Sequence, residues 1–153
     1  MQFHVPTTIS INGMSGSGKS SLLHKLLKHK DILFDKPIKK IMYAYGVWTS
    51  TYDEMEKSMD IEFHQNLPTE DTVTTFADGS HCILVIDDLM DRCVKDEGVQ
   101  NFFTRSSHHL NSTIIYLSLN LLCQGKSLNT HFIILMKSVR DMKQISVLEV
   151  SWE

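Results

Sequence analysis

The stretch SINGMSGSGKSSLL, Ser10–Leu23, decides how the rest of the chain is read. Gly13, Gly18, Lys19 and Ser20 fit G-x-x-x-x-G-K-[ST], a phosphate-binding loop when a strand precedes it and a helix follows. Both neighbours are legible here. TTISIN, Thr7–Asn12, is a β-branched run that reads as a strand. Lys19–Lys30 reads as a helix with Leu22, Leu23, Leu26 and Leu27 on one face. Gly13, Gly16 and Gly18 allow the backbone to turn tightly and approach a ligand closely. Successive backbone N–H groups then form an anion nest, and the helix N-terminus adds partial positive charge. The expected nucleotide-binding segment is Gly13, Met14, Ser15, Gly16, Ser17, Gly18, Lys19, Ser20 and Ser21. Lys19 would reach the β- and γ-phosphates, and the Ser20 hydroxyl would go to Mg²⁺. The bland alternative is a Gly/Ser-rich turn before an amphipathic helix, and the strand–loop–helix context argues against it.

Working outward, Lys39–Tyr45 reads as a second strand and Thr49–Met59 as a surface helix. HCILVIDD, His81–Asp88, is an apolar run ending in two acids, the pattern of a central parallel strand. Asp96–His108 reads as a helix, Ser112–Asn120 and His131–Lys137 as strands, and Arg140–Val150 as a closing helix. Strands alternating with helices predict an α/β fold: a mostly parallel central sheet covered by helices on both faces. Ligands of such sheets bind at the carboxyl ends of the strands, where the phosphate loop and the two acids converge.

Asp87 suits the carboxylate that holds Mg²⁺ beside a phosphate loop. Asp88, directly after it, suits the orientation or deprotonation of an attacking water. Acids also end strands simply to face solvent, so the pair signifies chemistry only in company with the loop.

The bulk numbers bound the answer. A chain of 153 residues supports one domain with a real core. A net charge of −3 argues against coating nucleic acid by bulk charge, while leaving room for a local basic surface. Cys82, Cys93 and Cys123 have neither zinc spacing nor a disulfide pattern, which points to a reducing intracellular compartment, cytoplasm or nucleus. No targeting segment is visible, and the longest apolar run, Thr113–Leu122, is shorter than the ~20 residues that span a bilayer. No membrane partner is expected.

Four segments together resemble a known group: GMSGSGKSS, ILVIDDLM, NFFTRSSHHLNSTIIYLSLNLL and SLNTHFIILMKSVRD. They are similar to the DNA-packaging ATPases of the FtsK-HerA superfamily, which are P-loop NTPases. The branch that they match is found in Maverick/Polinton transposons and large DNA viruses. The resemblance runs through nearly the whole chain, including YAYGVWTSTYDEM, and its most branch-specific part is Ser107-His108-His109 with Asn111. It implies a single ATPase domain over 1–153, cut short at its C-terminal end. The implied activity is ATP hydrolysis that drives double-stranded DNA into a capsid. The implied cofactors are ATP and Mg²⁺. The implied partners are DNA, further copies in a homo-oligomeric ring, and capsid or portal proteins, in a virus factory or virion if the chain is viral. By motif, Lys19 and Ser20 carry over as phosphate and Mg²⁺ contacts, Asp87 as the Mg²⁺ acid and Asp88 as the residue that activates water. Relatives in the wider superfamily carry glutamate at that last place.

Other departures bear on turnover. Relatives carry Gln-Asn after the strand that holds Leu119-Asn120 here, and the Gln serves as a γ-phosphate sensor. Leucine has no polar atom to offer, so the polar sensor is either missing or served by Asn120 alone. Leu110 stands where related sequences have arginine. These features predict a degenerate copy in which binding outlasts hydrolysis. The chain has three arginines, Arg92, Arg105 and Arg140. Arg140 and Arg105 are the candidates for reaching a neighbour's γ-phosphate, a contact that contributes ~10³-fold or more to rate; a solvated surface role fits each equally well. Lys25, Lys28, Lys30, Lys36, Lys39 and Lys40 form a basic stretch that suits DNA phosphates or the wet face of a helix and its loop. Two competing functions remain: a small-molecule P-loop kinase, for which three scattered arginines make a poor phosphate-clamping lid, and a non-catalytic nucleotide-binding remnant.

Overall fold

The computed structural model describes residues 2–87, 89, 111–119 and 132–136. Within them the chain runs β1 (Thr8–Asn12), α1 (Lys19–Lys28), α2 (Lys30–Leu33), β2 (Lys40–Tyr45), α3 (Ser50–Ser58), β3 (Glu62–Gln65), α4 (Glu70–Ala77), β4 (Cys82–Asp87), β5 (Ser112–Ser118) and β6 (Phe132–Leu135). The strands form one sheet in the order β3-β2-β4-β5-β1-β6, and every pairing is parallel. The expected helices over Asp96–His108 and Arg140–Val150 lie outside the described residues.

The burial pattern explains which strands are central. All seven residues of β5 and all five of β1 are buried, as are the first five of β4. Such continuous apolar runs mark parallel strands covered on both faces. The outermost strands are shorter and partly exposed: β3 is half in water, and β6 alternates half-buried Phe132 and Ile134 with exposed Ile133 and Leu135.

Alternation along each strand sorts the interior into two layers. On one face Ile9, Ile11, Tyr43, Ile83, Val85, Ile115 and Leu117 pack with Leu23 and Leu27 of α1 and with Tyr52 and Met55 of α3. On the other, Met42, Ala44, Leu84, Ile86, Ile114 and Tyr116 pack with Val73 and Ala77 of α4. The expected leucine face of α1 is therefore the one that docks, with Leu22 and Leu26 at its margin. Ser58 at the end of α3 meets His24 Nε2 at 3.3 Å, linking the two helices of that layer.

Neither β3 nor the body of α4 carries a clear sequence signature. EFHQ is four residues long and half exposed, so it lacks an apolar signature. α4 is rich in β-branched threonine, a weak helix former. Its ends were nonetheless written in the sequence: Thr69 accepts from the Thr72 N–H, Glu70 and Asp71 fill the first turn, and Asp78 closes the helix in the left-handed region before Gly79.

Candidate nucleotide site at the carboxyl edge of the sheet

β1 delivers the chain into the loop at Gly13. The Gly13 N–H donates to the Ser118 carbonyl at 3.1 Å, and the Met136 N–H donates to the Asn12 carbonyl at 2.7 Å. The loop is thus tied to the strands on both sides of β1. This close approach is why residue 13 is glycine. A Cβ there would lie 2.7 Å from Ser17 Oγ, 2.8 Å from Met136 Cβ and 3.0 Å from the Met136 carbonyl. Gly16 and Gly18 take φ of +76° and +92°, the left-handed region open to glycine.

The start of α1 is built unlike that of α4. Its cap residue is Gly18, no side chain caps it, and its first turn holds no acid. A helix N-terminus ordinarily satisfies its free N–H groups with a capping oxygen and its positive end with Asp or Glu. Here the first turn carries Lys19 and Ser20 instead, an arrangement that suits an external anion. The Lys19 ammonium folds back over the loop, donating to the carbonyls of Gly13 at 2.6 Å and Met14 at 2.9 Å. The buried Ser17 Oγ has no hydrogen-bond partner among the described residues. Met14, Ser15, Gly16 and Ser21 are exposed, with Ser20 half-buried between them and the core.

Asp87 ends β4 on the same carboxyl edge. In register it sits level with Leu117 of β5, while Asn12 of β1 sits level with Ser118. One strand therefore separates the acid from the phosphate loop, a gap of about 9–10 Å at the usual spacing between strands. The two features that the sequence placed on one edge are on one edge.

Two tyrosines hold the acid. Tyr43 Oη donates to Asp87 Oδ2 at 2.7 Å, and Tyr52 Oη donates to the same oxygen at 2.8 Å. Burial first, and the negative Asp87 beside them second, push both phenols well above the ordinary tyrosine range, so both remain protonated donors. Behind them lie Tyr45, Trp48 and Phe63, with Trp48 edge-on to Tyr52 at 5.5 Å and its indole N–H on Asp53 at 2.9 Å. No sequence pattern marks this pair. Tyr43 faces Asp87 because β2 and β4 pair with Tyr45 opposite Asp87, a register that no local pattern specifies.

Leu119, next after β5, is 59% exposed at the same edge. Asp88, Asn120, Arg105 and Arg140 lie outside the described residues, as do Leu110 and the two histidines. Within the basic stretch, Lys40 donates to the Phe76 carbonyl at 2.7 Å and lies over its ring, and Lys30 pairs with Asp31. A cavity of about 740 Å³ sits at the amino ends of β2 and β3, lined in part by Asp60, Glu62 and Asp71. Its carboxylates would repel phosphate, and it is remote from the loop. Among the described residues no helix is long and apolar enough to cross a membrane.

The arrangement can hold a polyphosphate by its loop N–H groups and Lys19. Mg²⁺ bound to a nucleotide needs only one or two protein ligands besides phosphate and water. The Ser20 hydroxyl and the Asp87 carboxylate could serve as such a set.

A family model described as Poxvirus A32 protein matches residues 3–150. No curated protein sequence matches the chain. Among solved structures, the chain is similar to "B204, the DNA-packaging ATPase from Sulfolobus Turreted Icosahedral Virus", with a TM-score of 0.64 and 14% identity over 93% of this chain and 82% of that one. It is also similar to the cytoplasmic domain of EssC, with a TM-score of 0.63 and 12% identity over 93% of this chain. The chain spans only 33% of that EssC structure. At these identities the likeness is one of fold.

Proposed function

The chain belongs to the Poxvirus A32 protein family, and from that premise we propose that it is a DNA-packaging motor ATPase. It binds Mg-ATP on the carboxyl edge of its sheet and couples hydrolysis to the movement of double-stranded DNA into a capsid. One observation carries this reading: an uncapped, acid-free helix start bearing Lys19 and a tyrosine-held Asp87 lie on the same sheet edge, one strand apart. The likeness in fold to a viral DNA-packaging ATPase supports it.

In this reading the loop N–H groups from Gly13 to Ser21 cradle the phosphates. Lys19 exchanges its loop carbonyls for phosphate oxygens. Ser20 and Asp87 hold Mg²⁺, which supplies positive charge against the charge developing on the phosphoryl group. Asp88 orients the attacking water, and Asn120 senses the γ-phosphate. Arg140 or Arg105 acts on the nucleotide of a neighbouring subunit in a homo-oligomeric ring. Duplex DNA and capsid or portal proteins are the partners, in the cytoplasm or nucleus, or in a virus factory or virion if the chain is viral. The tie to Maverick/Polinton elements rests on the quoted segments, above all Ser107-His108-His109.

Hydrolysis by this chain is slow. Leu119 presents an exposed apolar side chain where relatives carry a polar sensor. In-line attack needs fixed donors on the phosphoryl oxygens, and losing one costs ~10²-fold in rate.

Phosphate release measured with and without duplex DNA tests the function. Release that rises with DNA and transfers phosphate to no small acceptor is expected. Transfer to a small acceptor, indifferent to DNA, would replace the motor with a kinase.

A further inference from the structure

We propose that Tyr43 and Tyr52 are positioning residues for the metal-binding carboxylate: together they occupy Oδ2 of Asp87 and leave Oδ1 as the oxygen that meets Mg²⁺ or its water. This rests on the reading of Asp87 as the Mg²⁺ acid and adds which of its atoms does the binding, and why.

The geometry is specific. Both phenols donate to one oxygen, at 2.7 Å and 2.8 Å, and among the described residues neither donates to Oδ1. A carboxylate oxygen has two in-plane lone pairs. Two short O–H donors on an ionised oxygen use both of them. A metal approaching Oδ2 would have to displace a buried tyrosine, whereas at Oδ1 it would displace neither of them. The pair also fixes the carboxylate plane, since its rotation would break both bonds.

The donors come from different elements. Tyr43 is on β2 and fully buried, and Tyr52 is on α3 and 4% exposed. Their rings are 5.0 Å apart. Tyr52 therefore ties the α3 helix to the metal acid, and through the Ser58–His24 contact α3 is tied to α1, whose first turn carries Lys19 and Ser20. Losing an outer-shell partner of this kind typically costs 10–100-fold in metal affinity.

The test is ATP affinity by calorimetry, with excess Mg²⁺ and with EDTA, for the native chain, Y43F, Y52F and D87N. Phenylalanine keeps the packing and removes one hydroxyl, and two separate variants guard against a folding defect in either. The expected result is that Mg²⁺ tightens ATP binding in the native chain. That gain should fall ~10-fold in Y43F and Y52F, with affinity in EDTA unchanged. If both phenylalanine variants keep the full Mg²⁺ gain while D87N loses it, the positioning role is wrong and the metal acid stands. Equal losses with and without Mg²⁺ would show a structural role only and overturn the proposal. If D87N keeps the gain, the assignment of Asp87 itself fails.

Discussion

At the scale of single residues, the site depends on atoms that are absent as much as on those present. Gly13 has no room for a methyl group between Ser17 and Met136. Gly13→Ala should therefore push the loop away from the residue after β6. The expected cost is about 1–3 kcal/mol of stability, in the range for overpacking a tight site, together with weakened ATP binding. Denaturant midpoints and an ATP titration read both effects. The acids should separate by role. Asp87→Asn should lose metal-dependent affinity, while Asp88→Asn should keep binding and lose residual hydrolysis. Identical behaviour in binding and turnover assays would contradict that division.

At the scale of elements, two helices of similar length show how differently a helix can begin. α4 is closed by Thr69 and two acids, whereas α1 begins with glycine, lysine and serine. The first satisfies its own N-terminus, and the second has no side-chain cap, a start that suits an external anion. The packing of α3 on β2 has a consequence in alkali. Tyr43 and Tyr52 are held above their ordinary value of 10.0. Below that pH both the folded and unfolded chains keep these protons, and the full stability is present. Above it the unfolded chain releases them and the folded chain does not, so stability is lost as pH rises, by up to about 1.4 kcal/mol per pH unit for each group. Urea midpoints between pH 9 and pH 11 should fall further for the native chain than for Y43F. Much of this layer was legible from sequence. Central strands declared themselves because apolar runs buried on both faces leave a continuous signal, as in ILVID. The α1 leucines did so by their spacing. β3 was invisible because half of EFHQ faces water. The Asp87–tyrosine pair was invisible because it depends on the register between β2 and β4, which is set by the whole sheet.

At the scale of the molecule, the sheet order brings distant segments to one edge. β5 enters between β1 and β4, so Leu119, which follows it, stands between the loop after β1 and Asp87. Leu119→Gln should raise phosphate release if the rest of the site is sound, by up to ~10²-fold, the worth of one oriented donor. No gain would mean that Asn120 already senses the phosphate or that one substitution cannot return what is missing. The central claim is that this edge, organised by Ser10–Leu23, is where the chain binds its nucleotide. The most direct measurement is the Mg-ATP affinity of Lys19→Ala beside the native chain, with thermal melts of both. Lys19 donates to the loop carbonyls of Gly13 and Met14, so the melts should coincide while affinity falls at least ~10-fold, the scale of a lost charged hydrogen bond. Unchanged ATP affinity in a folded Lys19→Ala chain would contradict the account.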